Sequence, residues 1–470
     1  MVPYTDLHFE SSGSVRAGGI DIPYRVLSES MSLNGEDGAP DATIFSYSYL
    51  RCDLTPEEAR RRPVLFAFNG GPGSSCLWLH LGLLGPTRVR LENPLLPPIT
   101  PPYGLENNPH CPLDVCDVVL IDPVGTGYAR LLQETAAPRY LGVDQDAAAI
   151  ARFIEAWLTR QDRWDSPRYL LGESYGTMRC GELASALMAG PTSHAGRLGG
   201  IPVNGVVLMG SAMLNGMGKE PVEPSALNLP TAAATHWYHH PVPGKTLWEF
   251  VEECFDFVQN EYVRALFAGS RLTEGERAGT AQKLSRFTGL PAQYFIENDL
   301  RLGEDFLGLC CADRELDAGL YDTRYVTPRQ KKLGVHDTVA DDPAMGLYTP
   351  AFVGAMNGAK KRELGINAPL SYHPIVFKDI NFRWDYQCKR TPMECLRGSM
   401  RRNREMRIFF ATGCYDAVTT MGYVRYVVSQ SGLPMDRVTV KEYESGHMPY
   451  LGEESAVRLA ADLRGFLQAK

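Results

Sequence analysis

The pentapeptide Gly172-Glu173-Ser174-Tyr175-Gly176 has the residue types and the spacing of a nucleophilic serine turn. It lies between a predicted strand and a predicted helix. A sharp, strained turn at that place exposes the serine hydroxyl, and small flanking residues let the backbone fold tightly. A serine hydroxyl attacks a carbonyl only when a base takes its proton, so a histidine held by a carboxylate should follow in the chain. We therefore predict that Ser174 is a nucleophile.

Two residues in the C-terminal part fit the roles of the carboxylate and the base. Asp416 follows a predicted strand over 406–412 in the segment ATGCYDAV, and His447 follows a predicted strand over 438–443 in ESGHMPY. The order serine, aspartate, histidine, with both partners on loops after late strands, is typical of α/β-hydrolases. Ser174, Asp416 and His447 are the predicted catalytic triad.

A glycine-rich segment earlier in the chain predicts an oxyanion hole. Acyl transfer builds negative charge on the carbonyl oxygen, and two preorganised N–H donors stabilise it. One donor is expected at the backbone N–H of Tyr175, directly after the nucleophile. The other is expected in the loop Asn69-Gly70-Gly71-Pro72-Gly73, whose glycines allow the backbone to approach closely.

Alternating strands and helices must position these residues. Apolar runs predict strands over 64–68, 115–121, 168–171, 205–210, 406–412 and 438–443. Helices are predicted over 144–159, 178–189, 419–430 and 454–469. This alternation predicts an α/β protein with the α/β-hydrolase fold, in which helices cover both faces of a mostly parallel central sheet. The β-like runs 20–27 and 43–50 indicate antiparallel strands at the edge of that sheet.

The alternation of strands and helices is interrupted in the middle of the chain. A capping box, Thr246 with Glu249, opens one of the apolar-faced helices there. We predict a first part of the hydrolase core over 1–213, a helical cap insertion over 214–345, and a second part of the core over 346–470. We expect the insertion to lie over the sheet as a cap.

Composition and charge exclude several classes of protein. The 470 residues are 44% hydrophobic and 22% charged, as in an ordinary globular protein. The formal net charge of −8 leaves no basic excess for a phosphate backbone, so no nucleic-acid partner is expected. No apolar run approaches the roughly 18 residues that span a bilayer, so no membrane association is expected.

The cysteine count and the first residues bear on the compartment. Eleven cysteines are an odd number, which argues against a complete secretory disulfide framework. The opening segment MVPYTDLHFESSGS lacks the basic and apolar regions of a secretory signal. We expect a cytoplasmic protein, or a secreted one if a precursor segment was removed.

One cluster of histidines, His236, His239 and His240, raises the question of a metal. Because no carboxylate or cysteine stands at a matching spacing, no metal site is predicted. We expect these residues to line the substrate entry on the cap. The predicted chemistry needs neither a metal nor an organic cofactor, and the sequence leaves the oligomeric state open, with a homodimer as one alternative.

Five motifs in a fixed order resemble the serine carboxypeptidases, a family of α/β-hydrolases. They are NGGPGSS (69–75), DPVGTGY (122–128), GESYG (172–176), the Asp416 loop and GHM (446–448). The resemblance covers about residues 15–470, and the segment LPTAAATHWYHH and the short C-terminal part look closest to bacterial members.

The resemblance implies a role for each matched residue. Ser174, Asp416 and His447 would form the triad. Gly71 and Tyr175 would supply the N–H groups of the oxyanion hole. The substrate-binding residues would be Asn69, Gly70, Glu173 and Met448, the first three of them at the terminal carboxylate of a peptide.

One departure from the family's pattern concerns that carboxylate. The family usually has a glutamate three residues before the proline of a Gly-Pro pair, where it shares a proton with the glutamate before the nucleophile. Here the position is Leu83. Two carboxyl groups in contact cannot both ionise cheaply, which raises the apparent pKa of the pair. Without this partner, Glu173 must find another donor, stay protonated through desolvation, or serve a different role.

The sequence thus predicts a serine hydrolase that works through an acyl-enzyme, and the first choice of activity is a serine-type carboxypeptidase acting on peptides. The alternative among enzymes is an esterase or a serine carboxypeptidase-like acyltransferase on a small acyl substrate, because an alcohol or amine acceptor has no carboxylate to bind. A catalytically silent interaction protein is the alternative from another class. The joint presence of the serine, the aspartate, the histidine and the glycine loop argues against it.

Overall fold

One large sheet organises the chain. The structure is a computed structural model that describes residues 5–35, 38–192, 198–218, 223–329 and 337–469. The strands of the sheet are β1 (His8–Ala17), β2 (Ile20–Asn34), β3 (Pro40–Arg51), β4 (Val64–Phe68), β5 (Asp117–Asp122), β6 (Arg168–Glu173), β7 (Gly205–Met209), β8 (Arg407–Gly413) and β9 (Val438–Tyr443).

The order of the strands across the sheet is β1-β2-β3-β5-β4-β6-β7-β8-β9. The first three strands pair antiparallel, and β3 pairs antiparallel with β5. From β5 to β9 every neighbouring pair is parallel. The predicted α/β class, with a mostly parallel sheet and antiparallel strands at one edge, is confirmed.

The central strands are apolar throughout because they are covered on both faces. In β4, Leu65 and Ala67 belong to one buried apolar cluster, and Val64, Phe66 and Phe68 belong to the other. Side chains alternate between the two faces of a strand, so a strand that lies between two clusters cannot have a polar side. Full burial of one such phenylalanine contributes about 1.5–3 kcal/mol.

Helices cover both faces of the sheet. The helices Val143–Arg160, Tyr175–Leu187, Pro392–Arg402 and Met421–Gln430 contribute to the cluster of Phe66. Those on the opposite face are Pro343–Ala355 and Glu453–Gln468. The helix predicted over 178–189 begins earlier, at Tyr175, directly after Ser174.

Most of the chain between β7 and the helix at Pro343 is helical. Its α-helices are Pro224–His239, Leu247–Phe257, Val263–Ala268, Glu274–Thr288, Ala292–Glu297 and Phe306–Leu309. They share a buried apolar cluster of their own, with Phe250, Leu284 and Phe295 among its members. The capping box of Thr246 with Glu249 is formed. The division of the chain at residues 213 and 345 stays a prediction.

Several short elements lie between the larger ones. Among them are the α-helices Pro56–Arg61, Leu77–Leu79 and Lys361–Glu363, the paired strands Thr87–Val89 and Leu105–Asn107, and the paired strands Leu316–Ala318 and Val326–Pro328. Among the helices of the described residues, none has the length and apolar character needed to cross a membrane.

Candidate active site

The predicted site residues lie on loops at one edge of the sheet. Asn69 follows β4, Ser174 follows β6, Asp416 follows β8 and His447 follows β9. These four strands are parallel, so their carboxyl ends meet at the same edge. Ligands of open α/β sheets bind in a crevice at this edge.

Ser174, the predicted nucleophile, has a strained backbone, with φ of 60° and ψ of −127°. Its N–H donates to the carbonyl of Met209 at 2.9 Å, which holds the turn against β7. A Cβ at Gly172 would lie 2.0 Å from the carbonyl oxygen of Gly176, so the turn has no room for a side chain there. Such a conformation costs about 1–3 kcal/mol and persists only where the surroundings enforce it.

Asp416 and His447 form a buried pair. The Nδ1 of His447 lies 2.8 Å from Oδ2 of Asp416. The other carboxylate oxygen accepts the backbone N–H groups of Val418 at 2.8 Å and Thr419 at 2.9 Å. The hydroxyl of Thr419 donates to Oδ2 at 2.5 Å. These donors fix the position and orientation of the carboxylate.

The pair determines which nitrogen of His447 carries the proton. A proton on Nδ1 points to Asp416, so Nε2 keeps its lone pair. Burial alone would lower the pKa of His447, but the charge and hydrogen bond of Asp416, with the charge of Glu173, raise it above the usual histidine value. Nε2 is buried and has no hydrogen-bond partner among the described residues, so it is not bonded to the hydroxyl of Ser174 in this state. Catalytic hydrogen bonds often form only when substrate is bound.

The glycine loop after β4 packs directly on the serine turn. A Cβ at Gly70 would lie 2.5 Å from the backbone nitrogen of Tyr175 and 2.9 Å from Cβ of Ser174. Gly71 has φ of +102°, a conformation that favours glycine. The N–H of Tyr175 begins a helix, so it has no acceptor within that helix and lies at the positive end of its dipole.

Glu173 lies directly before the serine and is buried. The side-chain amide of Asn69 donates to its Oε1 at 2.6 Å. The orientation of Asn69 is fixed from behind, because its Oδ1 accepts the backbone N–H of Leu79 at 3.2 Å. Burial raises the pKa of Glu173 to about 7, against the opposing effects of His447, Tyr450 and Asn69. Below about pH 7 this carboxyl is therefore mostly protonated.

Leu83 and Met448 both lie in the apolar cluster on one face of the sheet. Leu83 is fully buried there, so no second carboxyl adjoins Glu173 from this position. Met448 is buried as well, and its carbonyl accepts the hydroxyl of Ser445 at 3.3 Å. The sequence left three options for Glu173: another donor, protonation through desolvation, or a different role. The structure shows the first two together, because Glu173 is buried and Asn69 is its uncharged donor.

The histidines of the Pro224–His239 helix and its end are engaged with neighbouring groups. The rings of His236 and His240 stack at 5.4 Å, and Nε2 of His240 lies 3.2 Å from Asp313. Nε2 of His239 lies 2.7 Å from the carbonyl of Thr323. Within the described ranges, no group of three histidine, cysteine or carboxylate side chains could hold a metal ion.

Three residues near the predicted triad were missed at the level of sequence. Thr419 and Tyr450 each lie three positions after a member of the predicted triad, and this closeness in the chain could have identified them. Tyr321 comes from the region predicted as a cap. Its carbonyl accepts the N–H of His447 at 2.7 Å, and its ring lies edge-on to the imidazole at 5.5 Å. No motif marks it.

Comparisons with known proteins agree with this architecture. The family model described as serine carboxypeptidase matches residues 47–448. Two curated proteins of Arabidopsis thaliana are similar over shorter stretches. Serine carboxypeptidase-like 8 is 27% identical over 145 residues, which are 30% of this chain and 31% of that protein. Serine carboxypeptidase-like 9 is 25% identical over 179 residues, which are 36% of this chain and 38% of that protein. The chain thus spans about a third of the length of these relatives.

A solved structure is similar over nearly the whole chain. It is the crystal structure of Kex1(delta)p, a prohormone-processing carboxypeptidase from Saccharomyces cerevisiae. The TM-score is 0.55 and the sequence identity 12%, and the match covers 94% of this chain and 91% of that one. At this identity, the likeness supports the fold alone.

Proposed function

Because the chain belongs to the serine carboxypeptidase family, we propose that it is a serine hydrolase that releases C-terminal residues from peptides through an acyl-enzyme. The observation that carries the proposal is the buried carboxyl group of Glu173, which lies directly before Ser174 and accepts a hydrogen bond from Asn69 at 2.6 Å; burial raises its pKa to about 7. A neutral donor pair at this place suits the terminal carboxylate of a peptide.

In the first step, the hydroxyl of Ser174 attacks the scissile carbonyl, and Nε2 of His447 takes its proton. Asp416 holds the imidazole in the tautomer that leaves Nε2 free to accept. A positioned base of this kind contributes about 10²–10⁴-fold to the rate. Burial of Asp416 and His447 strengthens their attraction, because the local dielectric is low.

The negative charge that develops on the carbonyl oxygen is stabilised by the N–H groups of Gly71 and Tyr175. A single donor of this kind is worth about 10²–10³-fold in kcat. His447 then gives its proton to the leaving amine, and the acyl group remains on Ser174. Water, activated by the same histidine, hydrolyses the acyl-enzyme and restores the serine.

Substrate selection depends on the protonation of Glu173. Asn69 and protonated Glu173 both offer hydrogen-bond donors to a carboxylate, and Gly70, the next residue of the same loop, packs against the serine turn. When Glu173 ionises, its negative charge repels the substrate's carboxylate. Activity on free peptide acids should therefore fall as the pH rises through about 7, whereas activity on C-terminal amides should lack this loss.

The test compares a blocked dipeptide with its C-terminal amide. We expect a higher kcat/KM for the acid below pH 7, and a difference between the two substrates that shrinks above it. Equal values of kcat/KM for the acid and the amide at every pH would contradict the carboxypeptidase proposal.

Leu83 favours a second candidate, an esterase or an acyltransferase acting on a small acyl substrate. Its side chain is fully buried and supplies no second carboxyl beside Glu173. An alcohol or amine acceptor does not need one. Faster turnover of small acyl esters than of either peptide, or acyl transfer to an added alcohol in preference to water, would support this candidate.

Four further proposals concern the whole protein. We propose a kinship with bacterial members of the family, supported by the segment LPTAAATHWYHH and testable by a phylogenetic tree. A cytoplasmic location is supported by eleven cysteines, all of them free in the structure, and cell fractionation tests it. The expected partner is a peptide or a small acyl substrate. A homodimer is the oligomeric alternative to a monomer, and light scattering distinguishes the two.

A further inference from the structure

Tyr450 lies beside Glu173 in the interior of the site. Its side chain is only 3% exposed, and after burial the charge of Glu173 is the next cause that raises the pKa of its hydroxyl. Asn69 already donates to Oε1 of Glu173. The tyrosine hydroxyl and Oε2 are both buried, and neither completes a hydrogen bond with the described residues in this state. Because buried polar groups rarely stay unpaired, we expect these two groups to form a hydrogen bond with each other.

Gly82 makes room for the tyrosine ring. A Cβ at this position would lie 2.4 Å from Cε2 and 2.7 Å from Cδ2 of Tyr450. Gly82 directly precedes Leu83, the position from which a second carboxyl is absent. The segment Gly82-Leu83 thus has no acidic side chain at Leu83. At Gly82 it leaves space for the ring of Tyr450, whose hydroxyl can reach Glu173.

We propose that Tyr450 is a positioning residue for the substrate's carboxylate, and that its hydroxyl donates to Oε2 of Glu173 in place of a second carboxyl. The inference rests on the proposed carboxypeptidase function. A phenol differs from a carboxyl in one important respect, because it keeps its proton over the whole working range of pH. Burial and the charge of Glu173 raise the pKa of Tyr450 well above its usual value. Glu173 therefore titrates without a second acid to share its proton.

The hydroxyl should lower the pKa of Glu173, because a donor stabilises the carboxylate form. The other charged groups acting on this carboxyl are His447 and Asp416, while Asn69 is neutral. Tyr450→Phe removes the donor and leaves these groups in place. The pKa of Glu173 should then rise, so activity on free acids should persist to higher pH. We expect a shift of about one pH unit, which corresponds to about 1.4 kcal/mol.

The experiment measures kcat and KM for a blocked dipeptide and its amide, from about pH 5 to about pH 9. In Tyr450→Phe, the alkaline limb of kcat/KM for the acid should move up by about one unit, mainly through KM. The profile for the amide should not move. Tyr128→Phe is the matched control, because its hydroxyl is also buried without a hydrogen-bond partner in the described chain and it is not among the groups acting on Glu173.

Gly82→Ala provides a second variant, because the added methyl group must displace the ring of Tyr450. It should move the same limb in the same direction. An unchanged limb in Tyr450→Phe, or an equal shift in Tyr128→Phe, would overturn the role of Tyr450. If the wild type has the same kcat/KM for the acid and the amide, the proposed carboxypeptidase function fails. If the wild type prefers the acid but the alkaline limb of Tyr450→Phe does not shift, only the role of Tyr450 fails.

Discussion

The replacement Asp416→Asn tests how the triad is oriented. In the wild type, one carboxylate oxygen accepts two backbone N–H groups, from Val418 and Thr419, and the other accepts the Nδ1 proton of His447. An asparagine cannot satisfy both sides. If its oxygen faces the backbone donors, its NH₂ group faces Nδ1. The imidazole must then carry its proton on Nε2, where it cannot accept the proton of Ser174.

The opposite orientation of the asparagine restores the productive tautomer at a cost that follows from the structure. It turns the NH₂ group toward the two backbone N–H groups, and each buried donor left without an acceptor costs about 1–3 kcal/mol. The total of about 2–6 kcal/mol corresponds to a decrease in kcat of roughly 30-fold to more than 10,000-fold. The corresponding change in a serine protease lowers kcat by about 10⁴. We expect a loss of about 1,000-fold or more in kcat.

The assay is steady-state hydrolysis of the preferred blocked dipeptide, with the unfolding midpoint measured in parallel. Asp122→Asn is the matched control. Asp122 is also fully buried and also accepts backbone N–H groups, from Cys76 at 2.9 Å and Tyr128 at 3.3 Å, but it does not contact His447. The Asp122→Asn variant should lower the unfolding midpoint and leave kcat nearly unchanged. A folded Asp416→Asn variant that keeps more than about a tenth of the wild-type kcat would show that Asp416 does not set the tautomer of His447.

The remaining predictions concern the binding site and the stability of the fold. Glu173→Gln cannot ionise, so the fall in kcat/KM for free acids above about pH 7 should disappear from the pH profile. Gly70→Ala places a methyl group 2.5 Å from the nitrogen of Tyr175, and kcat should fall about 100-fold while circular dichroism is unchanged. Leu284→Ala, in the apolar cluster of the helical insertion, should lower the free energy of unfolding of that region by about 2–5 kcal/mol in a denaturant titration. Burial raises the pKa of Glu182 from 4.5 to about 7, so its contribution to stability is present below pH 4.5 and is lost as the pH rises through 7. Glu182→Gln should therefore raise Tm relative to the wild type above pH 7 and not below pH 4.5.

The core strands could be predicted from the sequence because burial on two faces leaves a continuous apolar run. Val64–Phe68 and Val438–Tyr443 were predicted with the observed bounds. The first strand, His8–Ala17, was missed, since its sequence HFESSGSVRA has few apolar residues and its order comes from pairing with Ile20–Asn34. The pair Leu316–Ala318 and Val326–Pro328 was also missed, because strands of three residues are too short to show a period.

The positions of the candidate site residues could be predicted from their place after strands, whereas the surroundings of those residues could not. Asn69, Ser174, Asp416 and His447 lie at one edge because the strands before them are parallel. The hydrogen bond from His447 to Tyr321 ends on a backbone carbonyl, which any residue can supply, so the sequence gives no signal of this bond. The protonation of Glu173 depends on burial, which tertiary packing determines. The catalytic roles themselves stay predictions.

Covalent labelling by a serine-directed phosphonate, followed by mass spectrometry of the labelled peptide, tests the role of Ser174 most directly. If Ser174 is the nucleophile, the wild type carries a single adduct on Ser174 and Ser174→Ala carries none. Labelling that persists in Ser174→Ala, or an adduct on another residue that accompanies the loss of activity, would contradict this role.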